Sequence, residues 1–156
     1  LLGSETMGNA SAYGVGGVHR HTPEIVQNLS RLTSRDVRVS FTPMLVPMSR
    51  GILATVSAPL SGPTDAMRAR AVYAEAYRDE TFVHLLAEGQ WPHTQSVLGA
   101  TAVPIQASVD QGAGRLVAGG VVDNLARATA GAAVQCMNIA LGLPEATGLS
   151  TVGLAP

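Results

Sequence analysis

The chain has 156 residues, 46% of them hydrophobic and 13% charged, with a formal net charge of −1. That length suits one domain with a real core but is short for an enzyme holding both a dinucleotide and a second substrate, and the near-neutral, aromatic-poor composition argues against nucleic-acid or anionic-membrane surfaces. All ten basic residues are arginines, excluding a Schiff-base or P-loop lysine, and the single Cys136, with no apolar run of membrane-spanning length, fits a cytoplasmic protein without disulfides.

The chain opens on Leu1-Leu2-Gly3-Ser4 without an initiator methionine and reads as part of a longer polypeptide. Residues 1–18 read as irregular, their glycines lending flexibility or positive φ. The run Tyr13-Gly14-Val15-Gly16-Gly17-Val18-His19-Arg20-His21-Thr22-Pro23-Glu24 then delivers two histidines and an arginine to the start of a helix. Thr22 suits the N-cap, Pro23 the first helical position and Glu24 the first-turn acid, which predicts a helix over about 23–32.

Strict alternation in Val37-Arg38-Val39-Ser40-Phe41 predicts a strand, bounded by Pro43 and Pro47. The β-branched and small residues from Ile52 to Ala58 predict a second strand, paired with the one before. After a turn at 59–63, Thr64 is the expected cap of a helix reaching about Tyr77, with Asp65 supporting its start. A short strand at 82–86 and a polar loop at 88–96 follow, then strands at 101–109 and 115–122 joined through the glycine-bearing turn 110–114. Asp123-Asn124 opens an alanine-rich helix to about Leu141, ended by Gly142 and Pro144, and the last dozen residues read as extended. This helix is apolar or small on nearly every side, as if covered by more than one neighbour. There is no internal repeat. The links between strand pairs are too short for helical crossovers, so the fold class is α+β, with a mixed, largely antiparallel sheet and helices on one face.

Several ordered motifs coincide. Gly17-Val18-His19-Arg20-His21-Thr22-Pro23-Glu24-Ile25, Ser40 through Leu53, Val122-Asp123-Asn124-Leu125, Gly131 through Asn138 and Leu141-Gly142-Leu143-Pro144-Glu145 together resemble N-acetyl-gamma-glutamyl-phosphate reductase across nearly the whole chain. The resemblance implies NADPH-dependent reduction of N-acetyl-glutamyl 5-phosphate to the semialdehyde with loss of phosphate, a step of arginine biosynthesis. It implies kinship with aspartate-semialdehyde and glyceraldehyde-phosphate dehydrogenases, a cysteine thioester, and a homo-oligomer, dimer or tetramer. The family's nucleophilic cysteine and glycine-rich phosphate loop lie upstream of the histidine motif, and nothing ahead of Tyr13 matches either; Gly14, Gly16 and Gly17 lack the third glycine, since position 19 is histidine. The resemblance thus implies a catalytic and oligomerisation domain over 1–122, partial at its N-terminus. Residues 123–156 are then a helix and tail returning to an NADP-binding, Rossmann-type domain absent from the chain. Such a chain is expected to be inactive alone.

His19 and His21 share one face if the backbone is extended, and a histidine beside the positive end of a helix suits a neutral proton acceptor, which favours His21. Their separate roles stay open. Arg20 suits the carboxylate or phosphate of a substrate, and Tyr13 lines the cleft shaped by the glycine run. Asn124 by itself is a helix cap; the resemblance implies a contact to the nicotinamide amide, with Gly131 and Gln135 also on the cofactor side. Arg50 is expected to pair within a sheet or interface. Cys136, mid-helix, reads as a buried inert thiol. An His-x-His pair can bind zinc, but His84, His93 and Cys136 lack ligand spacing, so no metal is expected. Rival readings are the equivalent aminoadipate-derivative reductase of lysine biosynthesis and a non-catalytic oligomerisation module.

Overall fold

The computed structural model describes residues 7–154, so the expectation for residues 1–6 lies outside the described residues. The chain forms two compact units, one ending at Ser49 and one beginning at Arg50.

In the first unit, β1 (Ser11–Ala12) pairs antiparallel with β2 (Met44–Leu45), in register Ser11↔Leu45 and Ala12↔Met44. Tyr13 N extends the contact by donating to Pro43 O at 3.1 Å. Between them lies α1 (Thr22–Ser30), which contains no buried residue. The expected strand at 37–41 is not formed. Its alternation survives, since residues 37, 39, 41, 43 and 45 are all less exposed than their neighbours. Periodicity places side chains on one face, but a strand also needs a partner for its backbone groups, and pairing begins only at Met44, after the donor-less Pro43.

The second unit is built on a four-stranded sheet in the order β3-β6-β5-β4. Strand β3 (Ile52–Pro59) pairs antiparallel with β6 (Arg115–Val122) from Ile52↔Val122 to Pro59↔Arg115, and β6 pairs antiparallel with β5 (Val103–Asp110). The partner of β3 is therefore β6 and not the preceding run. The two have matching lengths, and β3 is an edge strand, where Pro59 removes no ladder bond from a central position. The β5–β6 hairpin closes with Asp110 Oδ1 accepting from Ala113 N at 2.9 Å. Strand β4 (Val83–Leu85) runs parallel to β5, which makes the sheet mixed.

Helix α2 (Ala66–Ala76) packs against β5. Its N-cap is Asp65, whose carboxylate accepts from Arg68 N at 2.7 Å, and not Thr64. A 3₁₀ turn at Thr94–Val97 lies against β6. The core is small: Ala69, Phe82, Val97, Ala100, Ala102, Ala107 and Val121 are buried. Inside it, Gln106 is satisfied by donating from Nε2 to Ala87 O and Gln90 O, both at 2.8 Å, while its Oε1 accepts from Arg70 Nη1 and Ala107 N.

The last helical segment differs from expectation. It is a π-helix over Ala126–Gly131 followed by α3 (Ala132–Ala140). Asp123 O accepts from both Arg127 N and Ala128 N, at 3.0 and 3.1 Å, and Ala130 N reaches back five residues to Leu125 O at 2.9 Å. The tail is not simply extended either. Turns close through Thr147 N to Pro144 O and Leu149 N to Ala146 O, both at 3.0 Å. Beyond them, Thr101 N donates to Ser150 O and Leu154 N to Leu98 O, both at 2.7 Å. Buried Asn138 anchors the turn, its Nδ2 donating to Glu145 O and Thr147 O at 3.0 and 2.9 Å.

Candidate active site

In the first unit, local backbone geometry gathers Tyr13, His19 and His21. Gly14 adopts φ +57°, and a Cβ there would lie 3.0 Å from His19 Cβ, so the histidine folds back over bare backbone. Thr22 N donates to His19 O at 3.0 Å and Ile25 N to His21 O at 3.0 Å, which turns the chain directly into α1. His21, at φ −83° and ψ −13°, is the N-cap and makes no side-chain cap bond. This corrects the expectation that Thr22 caps the helix: Thr22 is already helical, and its buried hydroxyl has no hydrogen-bond partner among the described residues.

The histidines are adjacent across a turn, not along extended chain. Their rings meet edge to face with centroids 4.9 Å apart. Two further edge-to-face contacts hold His19, with Tyr13 at 5.4 Å and with Phe41 at 5.2 Å. The backbone amide of His21 donates to His19 Nδ1 at 3.2 Å. His19 is half-buried, while Tyr13, Arg20 and His21 are exposed. Arg20 forms no ion pair among the described residues, which leaves its guanidinium available to an anion. Phe41 escaped the sequence reading because alternation assigned it to a strand face and gave no sign of a histidine neighbour.

In the second unit the residues expected on the cofactor side gather around the start of the last helical segment. Asp123, only 1% exposed, binds three chain segments at once. Its Oδ1 accepts from Leu125 N and Ala126 N at 2.8 Å and from Arg50 Nη2 at 2.9 Å, and its Oδ2 from Gly99 N at 2.7 Å. The ion pair to Arg50 closes to 2.8 Å, placing Arg50 in the structural role expected of it. Burial pushes the Asp123 carboxyl up, but the amides of Gly99, Ala126 and Leu125 and the Arg50 guanidinium outweigh it and lower its pKa from 3.8 to about 2. Sequence signalled only a helix cap here; the link to Arg50 and Gly99 is tertiary.

Asn124 accepts from Gly51 N through Oδ1 at 2.9 Å. Gly131 is buried where an added Cβ would stand 2.1 Å from Ala126 O and 2.4 Å from Thr101 Cγ2, so its bare backbone serves internal packing. Gln135 is engaged at both ends, accepting from Arg127 Nη1 at 2.7 Å and donating to Glu145 Oε2 at 3.0 Å. Arg127 also lies over the Phe82 ring at 5.1 Å. The Thr81 hydroxyl and the Gln135 amide hold the Glu145 carboxyl below its usual range. Neither Arg127 nor Glu145 was singled out from sequence.

Cys136 is exposed on α3, not buried as expected, because the helix turns that flank to solvent in this chain. No group of three or more His, Cys, Asp or Glu residues among the described residues can hold a metal ion, and no helix among them is long and apolar enough to cross a membrane.

With this geometry in view, comparison with known proteins is informative. Residues 1–124 match the family model of the semialdehyde dehydrogenase dimerisation domain. N-acetyl-gamma-glutamyl-phosphate reductase of Saccharopolyspora erythraea is 65% identical over 156 residues, covering 100% of this chain and 46% of that protein. The Streptomyces avermitilis and Thermobifida fusca proteins of the same name are each 58% identical with the same coverage. The chain therefore spans about half the length of these curated relatives. The crystal structure of aspartate semialdehyde dehydrogenase II from Vibrio cholerae shares the fold, with TM-score 0.52 and 19% identity over 64% of this chain and 29% of that one. The chain belongs to the semialdehyde dehydrogenase dimerisation-domain family.

Proposed function

We propose that this chain is the histidine-bearing, oligomerising part of a cytoplasmic, NADPH-dependent reductase that converts N-acetyl-glutamyl 5-phosphate to the semialdehyde and phosphate in arginine biosynthesis. The observation that carries the reading is the Tyr13–His19–His21 cluster at the mouth of α1, with Arg20 beside it, in a chain 65% identical to a reductase of that name. His21, exposed at the helix start, accepts the proton of a substrate-attacking thiol as the carbon–sulfur bond forms and phosphate leaves. The family resemblance assigns the attacking thiol to a cysteine upstream of the histidine motif, and Cys136, on α3, is given no catalytic role. Arg20 binds the substrate's carboxylate or phosphate and Tyr13 lines the cleft.

The second unit offers a fit to a nicotinamide cofactor at one atom. Asn124 is fixed through Oδ1, and its Nδ2 is the donor assigned to the carboxamide. Gly131 and Gln135 act there by holding the helical segment that follows Asn124. NADPH, when bound, supplies the hydride that takes the thioester to the aldehyde level.

In the full-length reductase, His21→Ala is expected to lower kcat with N-acetyl-glutamyl phosphate by about 10²–10⁴-fold, the usual contribution of a general base. Activity unchanged in that variant would remove His21 from catalysis. The chain by itself is expected to reduce nothing and to recover activity when mixed with a separately made NADP-binding half. A preference for the aminoadipate derivative in a competition assay would instead select the lysine-pathway substrate.

A further inference from the structure

We infer that His19 is held as a neutral hydrogen-bond donor with its proton on Nε2, and that it directs this N–H at an oxygen of the acyl-phosphate substrate while His21 carries protons. The inference rests on the reading of this cluster as the active site and deepens it by dividing the labour between two histidines. A neutral imidazole has one donor nitrogen and one acceptor nitrogen, and the bond made by one decides the state of the other. The amide of His21 can donate to His19 Nδ1, at 3.2 Å, only if that nitrogen carries no hydrogen. The proton of the neutral ring is then on Nε2.

The donating amide is itself fixed. It belongs to the N-cap of α1, and the bond from Thr22 N to His19 O, 3.0 Å long, closes the turn that brings it under the ring. Tyr13, Phe41 and His21 surround the imidazole edge to face at 5.4, 5.2 and 4.9 Å. On the remaining side Gly14 lies so close that a Cβ there would stand 3.1 Å from His19 Cδ2. The ring is thus pinned at one nitrogen and packed on its flanks. It cannot take up a proton at Nε2, where one already sits, and can do so at Nδ1 only by giving up the helix-cap amide. His21 makes no side-chain cap bond and is exposed, so its ring is not pinned in this way. A pre-oriented N–H suits the carbonyl or phosphoryl oxygen on which negative charge develops during attack.

Two measurements on the intact reductase test this. With imidazole ¹⁵N labelling and the His19 signals identified by their loss in His19→Gln, the ring is expected to show a bare Nδ1 and a protonated Nε2 at neutral pH; a proton on Nδ1 overturns the inference. In kinetics, His19→Ala is expected to lose about 100-fold in kcat, the scale of one oxyanion-directed donor, while His19→Gln, whose amide can present an N–H, keeps at least about tenfold more. Equal losses in the two variants, or no loss in His19→Ala, overturn the donor role. If His21→Ala also retains full activity, the failure lies with the assignment of the active site itself, whatever the tautomer.

Discussion

Asp123 shows how one residue can organise a region that sequence presents as a simple cap. Its carboxylate is nearly sealed from solvent and holds the start of the last helical segment, the Gly99 amide and Arg50 together. Removing it leaves three part-buried amides and a guanidinium without this acceptor, so Asp123→Ala is expected to cost about 3 kcal/mol in chemical denaturation. The folded pKa of about 2 lies below the ordinary 3.8, so the contribution is present in full above the unfolded value. It is lost as pH falls from about 4 towards 2, where acid titration followed by circular dichroism should show unfolding begin, and should show less pH dependence in Asp123→Asn. Gly14 makes a second residue-scale case. At φ +57° with His19 against it, Gly14→Ala is expected to cost about 1–2 kcal/mol and to lower kcat by displacing the ring, read by stability and rate together. That Tyr13, His19 and His21 lie together at a helix start was legible because glycines, a Pro at the helix start and paired histidines form a local pattern. Phe41 was not, since nothing in an alternating run names the neighbour of its buried face.

At the scale of elements, the strands of the second unit were read within two residues because β-branched residues and a glycine turn act locally. Their partners were not. Strand β3 joins β6 across more than fifty intervening residues, a pairing set by matched length and hydrogen-bonding need. The π-helix at Ala126–Gly131 was equally invisible, since alanine-rich sequence reads as regular α-helix. Its end depends on Gly131, wedged against Ala126 O and Thr101 Cγ2. Gly131→Ala is expected to destabilise the chain by about 1–3 kcal/mol through overpacking, measurable as a lower denaturant midpoint. A shift smaller than about 0.5 kcal/mol would mean the segment relaxes to α-helix without penalty. Helix α1, with no buried residue, should exchange its amide hydrogens faster than the β5–β6 hairpin.

At the scale of the whole molecule, the family is defined by dimerisation, and the edge strand β3 leaves Ile52, Leu53 and Val56 exposed at 49%, 54% and 58%. A long apolar edge of this kind invites pairing. Val56→Lys is expected to shift the protein towards monomer in sedimentation velocity without loss of folded signal, and an unchanged oligomer would place the contact elsewhere. The sequence by itself determined the α+β class, the histidine motif at a helix start and a basic set made of arginine alone, because these rest on local periodicity, turn residues and composition, while the family was read from the ordered motifs the chain shares with it. The tertiary structure alone decided that β6 pairs with β3, that Asp123 binds Arg50 and Gly99, and that His19 gives up one ring nitrogen to a helix-cap amide. Those contacts depend on where distant or turning backbone brings donors and acceptors, and no spacing along the chain records that.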